Sequence, residues 1–485
     1  MSATAVVAGV EVSPDHYIGG KRVAGDERFE DRSPIDEQLL AEVARGGERE
    51  VGLAVEAAAA AFPSWAALGV AGRAERLRRL ADLIDGSVER IASVECLDMA
   101  MLERSLRARV IPRGARNYRS YAELAERYQG RVWSSNGTLN RVLRMPAGPA
   151  AVVTPWNAAF MLSTWKTAPA LVAGCTVVLK PPEWAPLSCS LLADLTEQAG
   201  FPAGVFNVVQ GIGEEAGAAL VAHPRVRRIS FTGSSETGRL VGAAAARNLV
   251  PFTAELGGKG PFVVFADADL DAAARKAALQ YDDSGQNCMA GTRLLVEESV
   301  SGEFLERFHA AVDEHVLGDP REDATTISPL IHRDHLARVD GFVERARASG
   351  DRFVRGGRPA ELGGLWYEPT LVEPRSNDSE IVQREVFGPV LTFQTFRTEE
   401  EAVALANSTE YGLAATVYTS STSRAGRVGR AVRAGTVWVN AFLVRDLTAP
   451  FGGVGISGIG REGGDYALDF YSDLKTLQIL EESTR

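Results

Sequence analysis

Short β-branched runs recur through the middle of the chain, with amphipathic stretches between them. Ala151-Val152-Val153, Thr176-Val177-Val178-Leu179, Val205-Phe206-Asn207-Val208-Val209 and Arg228-Ile229-Ser230-Phe231-Thr232 are centred about 23 to 29 residues apart, and helix-like segments 188–199 and 214–222 lie between them. Strands alternating with helices at this spacing predict βαβ units and a parallel sheet. Such sheets bind ligands beyond the carboxyl ends of their strands, so the loops after these runs are where chemistry is expected. A second series starts near Phe252, with strands over 252–256, 261–265 and 293–296 and helices over 270–280, 302–314 and 335–348. Upstream, Leu77, Leu80, Ala81 and Ile84 form the apolar stripe of a helix, with Arg73, Glu75, Arg78, Arg79 and Asp82 on its other side. The tail is glycine-rich over 451–464 and ends in a strand-like piece, 474–480.

The chain has 485 residues, enough for about three domains or two large ones. Lys and Arg number 52 against 63 Asp and Glu, a net charge of −11 that disfavours nucleic acid as a partner. Cys96, Cys175, Cys189 and Cys288 have neither Cys-x-x-Cys spacing nor His neighbours, so neither a disulfide framework nor a metal site is expected. The first residues show no basic, apolar signal pattern, and the uncharged stretch 167–179 is too short to span a bilayer. The expectation is a cytoplasmic protein without membrane partners.

Cys288 sits in Gly285-Gln286-Asn287-Cys288-Met289-Ala290-Gly291, a small polar loop before a strand, the setting of a nucleophile as well as of an ordinary structural thiol. Glu255 ends an apolar strand before Gly257-Gly258-Lys259; it is either a general base of raised pKa or a half-exposed strand-end acid. Asn157, in Thr154-Pro155-Trp156-Asn157, either donates to an oxyanion or caps a turn. Phe231-Thr232-Gly233-Ser234-Ser235 follows a strand and opens a helix, where backbone donors favour phosphate. Gly211-Ile212-Gly213 reads as a turn.

Together these pieces resemble the NAD(P)-dependent aldehyde dehydrogenase superfamily over nearly the whole chain. The resemblance is carried by Pro155-Trp156-Asn157, Trp165-Lys166, Lys180-Pro181-Pro182-Glu183, Phe231-Thr232-Gly233-Ser234 and Glu255-Leu256-Gly257-Gly258-Lys259. It continues in Gly285-Gln286-Asn287-Cys288, Glu385-Val386-Phe387-Gly388-Pro389, Pro450-Phe451-Gly452-Gly453 and Ser457-Gly458-Ile459-Gly460-Arg461-Glu462. It implies an α/β protein with a Rossmann-like cofactor domain, an α/β catalytic domain and a small β oligomerisation flap. The implied boundaries are 1–129, 148–254 and 442–464 for the cofactor domain, 255–441 for the catalytic domain, and 130–147 with 465–485 for the flap. Homodimers or homotetramers are implied as well.

By that resemblance Cys288 attacks the aldehyde, Asn157 and the Cys288 N–H hold the oxyanion, and Glu255 activates water, which favours hydrolysis over acyl transfer to coenzyme A. Trp156, Lys180, Glu183, Gly233, Ser234, Glu385 and Phe387 are the implied cofactor contacts, with the Glu183 carboxylate favouring NAD over NADP. Lys166 and Glu462 match a buried pair, read as a structural ion pair rather than a proton relay. Asp283 stands where the family commonly has an amide, and is expected to raise the Cys288 pKa. Ile111-Pro112-Arg113 and Val444-Arg445-Asp446-Leu447 resemble the hydroxymuconic and aminomuconic semialdehyde dehydrogenases of aromatic catabolism, in which arginines at matching places bind the substrate carboxylate. Other readings place Arg445 beside Asp446 or a neighbouring subunit, and Arg113 on a helix surface. Neutral aromatic or aliphatic aldehydes are the alternative substrates. Outside this chemistry stand a silent binding protein and a cofactor-free cysteine hydrolase.

Overall fold

Two large sheets, one small three-stranded sheet and two strand pairs carry the chain in a computed structural model that describes residues 3–127 and 130–480. Residues 1, 2, 128, 129 and 481–485, which belong to the expected cofactor and flap segments, lie outside the described residues.

The first sheet has eight strands, in the order Gly458–Ile459, Phe252–Glu255, Arg228–Thr232, Pro149–Val153, Thr176–Lys180, Phe206–Val208, His16–Ile18, Lys21–Val23. The five strands from Phe252–Glu255 to Phe206–Val208 are mutually parallel. Every residue of Thr176–Lys180 is buried, as expected of a strand covered on both faces. Chain order reverses beside Pro149–Val153, whose neighbours are Thr176–Lys180 on one side and Arg228–Thr232 on the other. The connections leaving Val153 and Thr232 therefore diverge and leave a crevice at the strand ends.

The second sheet runs Arg352–Arg355, Thr370–Glu373, Val390–Phe396, Arg293–Glu297, Pro261–Val264, Ala414–Tyr418, Thr436–Val439, and all its pairs but the first are parallel. Phe252–Glu255 belongs to the first sheet, not to the second series as the sequence pattern suggests. Glu255 is thus the last strand residue of one sheet, and the segment 256–260 crosses to Pro261 in the other. The small sheet pairs Ser472–Leu480 with Thr138–Pro146, and the latter with Val132–Ser135, all antiparallel. Leu474, Leu477, Ile479 and Leu480 remain exposed on it.

Two local readings change. Arg73 is buried within the helix Gly69–Asp85, because its guanidinium donates to the carbonyls of Val172 and Ala66, both at 2.9 Å, in the last turns of two neighbouring helices. Gly213 opens a single π-turn, Gly213–Gly217, before the short helix Ala218–Ala222.

Candidate active site

The crevice between the sheets is a cleft of about 640 Å³ reaching from Ser234 to Cys288. The helix Ser235–Arg247 opens at its mouth, and Ser234 is its N-cap, its hydroxyl accepting from the Thr237 N–H at 3.1 Å. Thr232 Oγ1, at the carboxyl end of its strand, is buried without a hydrogen-bond partner among the described residues. On the opposite wall Glu385 Oε1 accepts from the Gly258 N–H at 2.7 Å. Burial pushes the Glu385 carboxyl up to about 7 against the pull of that N–H and of Arg338.

The double glycine is demanded by close approach. A methyl group on Gly257 would overlap the Glu385 carboxylate, and one on Gly258 would overlap the Cys288 carbonyl oxygen. Lys259 follows, fully buried, its Nζ without a hydrogen-bond partner among the described residues and its pKa lowered to about 7 by burial.

Cys288 is the half-buried thiol; Cys96, Cys175 and Cys189 are buried. Its pKa is pushed up to about 12, by burial first and then by the carboxylates of Glu385 and Glu255. Glu385 and Glu255, and not Asp283 as the sequence suggests, are the leading charges that raise it. Instead Asp283, Ser284 and Gly285 are three successive left-handed residues, with φ of 51°, 54° and 65°. The Asp283 carboxyl faces Arg109, and its carbonyl accepts from Gln286 N at 3.1 Å. Asn157 lies in the turn Trp156–Ala158, and its Nδ2 donates to the Gln286 carbonyl at 3.0 Å.

Glu255 is 6% exposed and neither carboxyl oxygen has a hydrogen-bond partner among the described residues; the burial removes the half-exposed reading. Burial and the neighbouring Glu462 hold its pKa well above the carboxylate range, while Lys166 and Arg445 pull the other way. Behind it the Lys166–Glu462 ion pair is buried and fully hydrogen-bonded: Trp165 Nε1 donates to Glu462 Oε2 at 2.6 Å, and Lys166 Nζ to Ser230 Oγ at 3.0 Å. Away from the cleft, Lys180 Nζ pairs with Glu183 Oε2 at 2.6 Å, beside Gly213.

Arg113 and Arg445 come together over Trp165, with guanidinium carbons 5.9 Å and 5.4 Å from the ring centroid. Burial and mutual repulsion lower the Arg113 pKa to about 10. Asp446 does not pair with Arg445; it accepts from the Thr448 N–H and hydroxyl. Arg113 is half-buried rather than a surface residue.

His335, Arg338 and Trp184 are among the cleft residues that sequence reasoning missed, because no local motif marks them. His335, on the helix Arg333–Ala348, sits 5.2 Å from Trp156 and bonds through Nε2 to the Phe387 carbonyl at 2.7 Å. Burial lowers its pKa to about 4, so Nε2 carries a proton and donates. Arg338, one turn on, donates to the Glu385 carbonyl at 2.8 Å. Phe387, at φ 60°, stands edge-on to Trp156 at 5.4 Å, and Trp184 stacks on His332 at 4.7 Å.

The aldehyde dehydrogenase family model matches residues 22–477. The chain is 42% identical to the 2-hydroxymuconic semialdehyde dehydrogenase of Pseudomonas sp. (strain CF600), covering 95% of this chain and 98% of that one. It is 38% identical to the 2-aminomuconic semialdehyde dehydrogenase of Danio rerio, covering 96% and 98%. A crystal structure of an indole-3-acetaldehyde dehydrogenase complexed with NAD+ superposes with a TM-score of 0.95 at 39% identity, over 97% of both chains. The chain belongs to the aldehyde dehydrogenase family and has its fold.

Proposed function

We propose that this enzyme oxidises an aldehyde bearing a carboxylate a few carbons from its carbonyl, with NAD as hydride acceptor, and releases the acid by hydrolysis. The observation that carries this reading is the pair Arg113 and Arg445. Neither guanidinium has a carboxylate partner among the described residues, and Arg445 lies within electrostatic reach of both Cys288 and Glu255. Two half-buried guanidiniums that repel each other and hold no direct ion pair are costly, and a substrate carboxylate supplies one. The semialdehyde-oxidising relatives support the same class of substrate.

The cleft fits a dinucleotide. Thr232 Oγ1 is an unsatisfied buried group, the amides opening the helix Ser235–Arg247 suit a pyrophosphate, and Glu385 suits ribose hydroxyls. Gly233 and Ser234 lie at that helix start, and Trp156 and Phe387 flank the ring's place. Glu183, held by Lys180, accepts from an adenosine ribose and repels a 2′-phosphate. Bound there, the nicotinamide supplies the hydride acceptor.

Cys288, as thiolate, forms the C–S bond to the aldehyde carbon. Asn157 Nδ2 keeps one N–H beyond its bond to Gln286, and that N–H with the Cys288 amide holds the oxyanion. Loss of hydride leaves a thioester. Glu255, a stronger base for its raised pKa, takes a proton from water, which attacks the thioester and frees the acid and Cys288. The exposed leucines of the small sheet support a flap used in dimers or tetramers, and four free thiols fit a cytoplasmic setting.

The test is NADH formation from adipate semialdehyde against hexanal. A higher kcat/KM for the carboxylated aldehyde, erased in Arg445→Ala, bears out the reading; equal or better use of hexanal overturns it.

A further inference from the structure

Two like charges share one aromatic ring in this site, and the ring itself is fixed. Arg445 is 5.4 Å from the Trp165 centroid and 3.8 Å from that of Phe451, so it contacts two rings. Arg113 is 5.9 Å from the same indole. The guanidiniums repel each other, and no carboxylate pairs with either among the described residues. Glu255 and Glu462 act on Arg445 at longer range, and the indole is the ring whose negative π-face both guanidiniums contact. A guanidinium held by its face keeps its edge N–H groups for a planar acceptor.

Three contacts immobilise the platform. Trp165 Nε1 donates to Glu462 Oε2 at 2.6 Å, an oxygen of the carboxylate already paired with Lys166. The Tyr121 ring lies tilted against it at 5.7 Å. On the same helix, Ala159–Ala173, Thr164 Oγ1 and the Met161 carbonyl accept from Asn117 Nδ2 at 3.0 Å and 3.3 Å. Asn117 Oδ1 then accepts from Arg113 Nε at 3.0 Å, tethering that arginine while its terminal nitrogens remain available.

We propose that Trp165 is the positioning residue behind the site's charge selectivity, holding Arg113 and Arg445 together on one indole to receive a substrate carboxylate. This rests on the carboxylate reading above. Trp165 is not among the residues that line the cleft from Ser234 to Cys288; it acts through the two arginines.

The test measures kcat and KM for adipate semialdehyde and hexanal with wild type, Arg445→Ala, Trp165→Phe and Trp165→Leu. Trp165→Leu is expected to lower kcat/KM for the carboxylated aldehyde about tenfold relative to hexanal, chiefly through KM. Trp165→Phe, which keeps a ring face, restores most of the preference. If the leucine variant does not fold, Trp165→Met is read in the same way. Equal losses for both aldehydes overturn the inference and leave Trp165 a packing residue. A preference kept in Trp165→Leu but lost in Arg445→Ala also overturns it while sparing the carboxylate reading. A wild type without preference overturns both.

Discussion

Asn157 and Gln286, 129 residues apart in sequence, are joined by one hydrogen bond of 3.0 Å from side-chain amide to backbone carbonyl. The bond sets the amide's orientation beside the Cys288 loop and engages only one of its two N–H groups. Asn157→Asp replaces a donor by an acceptor and sets a negative charge against the Gln286 carbonyl. We expect kcat to fall by about two to three orders of magnitude, with the KM for NAD little changed. Unchanged steady-state kcat would reduce Asn157 to a turn cap.

The thiol should respond to the charge on Glu385. Cys288 is pushed up to about 12 with Glu385 as the leading charge, and Glu385 itself titrates at about 7. Removing a nearby negative charge favours the thiolate and lowers the thiol pKa. Alkylation of the free enzyme by iodoacetamide should therefore be faster in Glu385→Gln than in wild type. The gap opens as pH rises past 7, where the wild-type carboxylate ionises. Superimposable rate profiles from pH about 6 to 9 would contradict this coupling.

Gly258→Ala tests the close approach of the two sheets. Its methyl group would overlap the Cys288 carbonyl oxygen, which belongs to backbone and cannot rotate away. Thermal unfolding should show a loss of about 1 to 3 kcal/mol, the usual range for an overpacked core. Activity should fall with it, since the nucleophile's own backbone is displaced. A variant as stable and active as wild type would mean that the crossing segment 256–260 is slack.

Glu183→Gln should relax the choice of cofactor. The substitution keeps the side chain's length beside Lys180 but removes the charge that repels a 2′-phosphate. The ratio of kcat/KM for NAD over NADP is expected to drop about tenfold, mainly through NADP's KM. A ratio that does not move would take cofactor discrimination away from this position.

How far the sequence could be read depends on the range of the signal. The β-branched runs and the loops at Asn157, Ser234, Glu255 and Cys288 were legible because strand, turn and chemistry lie within about ten residues of each other. Only the spacing of strands suggested where one sheet ended, and Phe252–Glu255 joined the earlier one because its parallel partner is Arg228–Thr232. His335 and Arg338 sit on an ordinary amphipathic helix, and only tertiary packing brings them to Phe387 and Glu385. Arg73 defeated the periodicity rule because a long cation can be buried wherever helix ends leave carbonyls unpaired. At Asp283 the residue type suggested electrostatics on the thiol, but the leading charges there are Glu385 and Glu255, and the charge that acts on the Asp283 carboxyl is Arg109.

The run of left-handed residues before Cys288 also ties distant stretches into one interlocked unit. A side chain on Gly285 would collide with the Gly388 carbonyl, while Gly257 and Gly258 interlock with Glu385 and Cys288. The nucleophile loop, the double glycine and the segment around Phe387 therefore fit one another as a lock fits its own key. A side chain introduced at Gly257, Gly258 or Gly285 is therefore expected to disturb all three stretches together, and the nucleophile's own backbone with them.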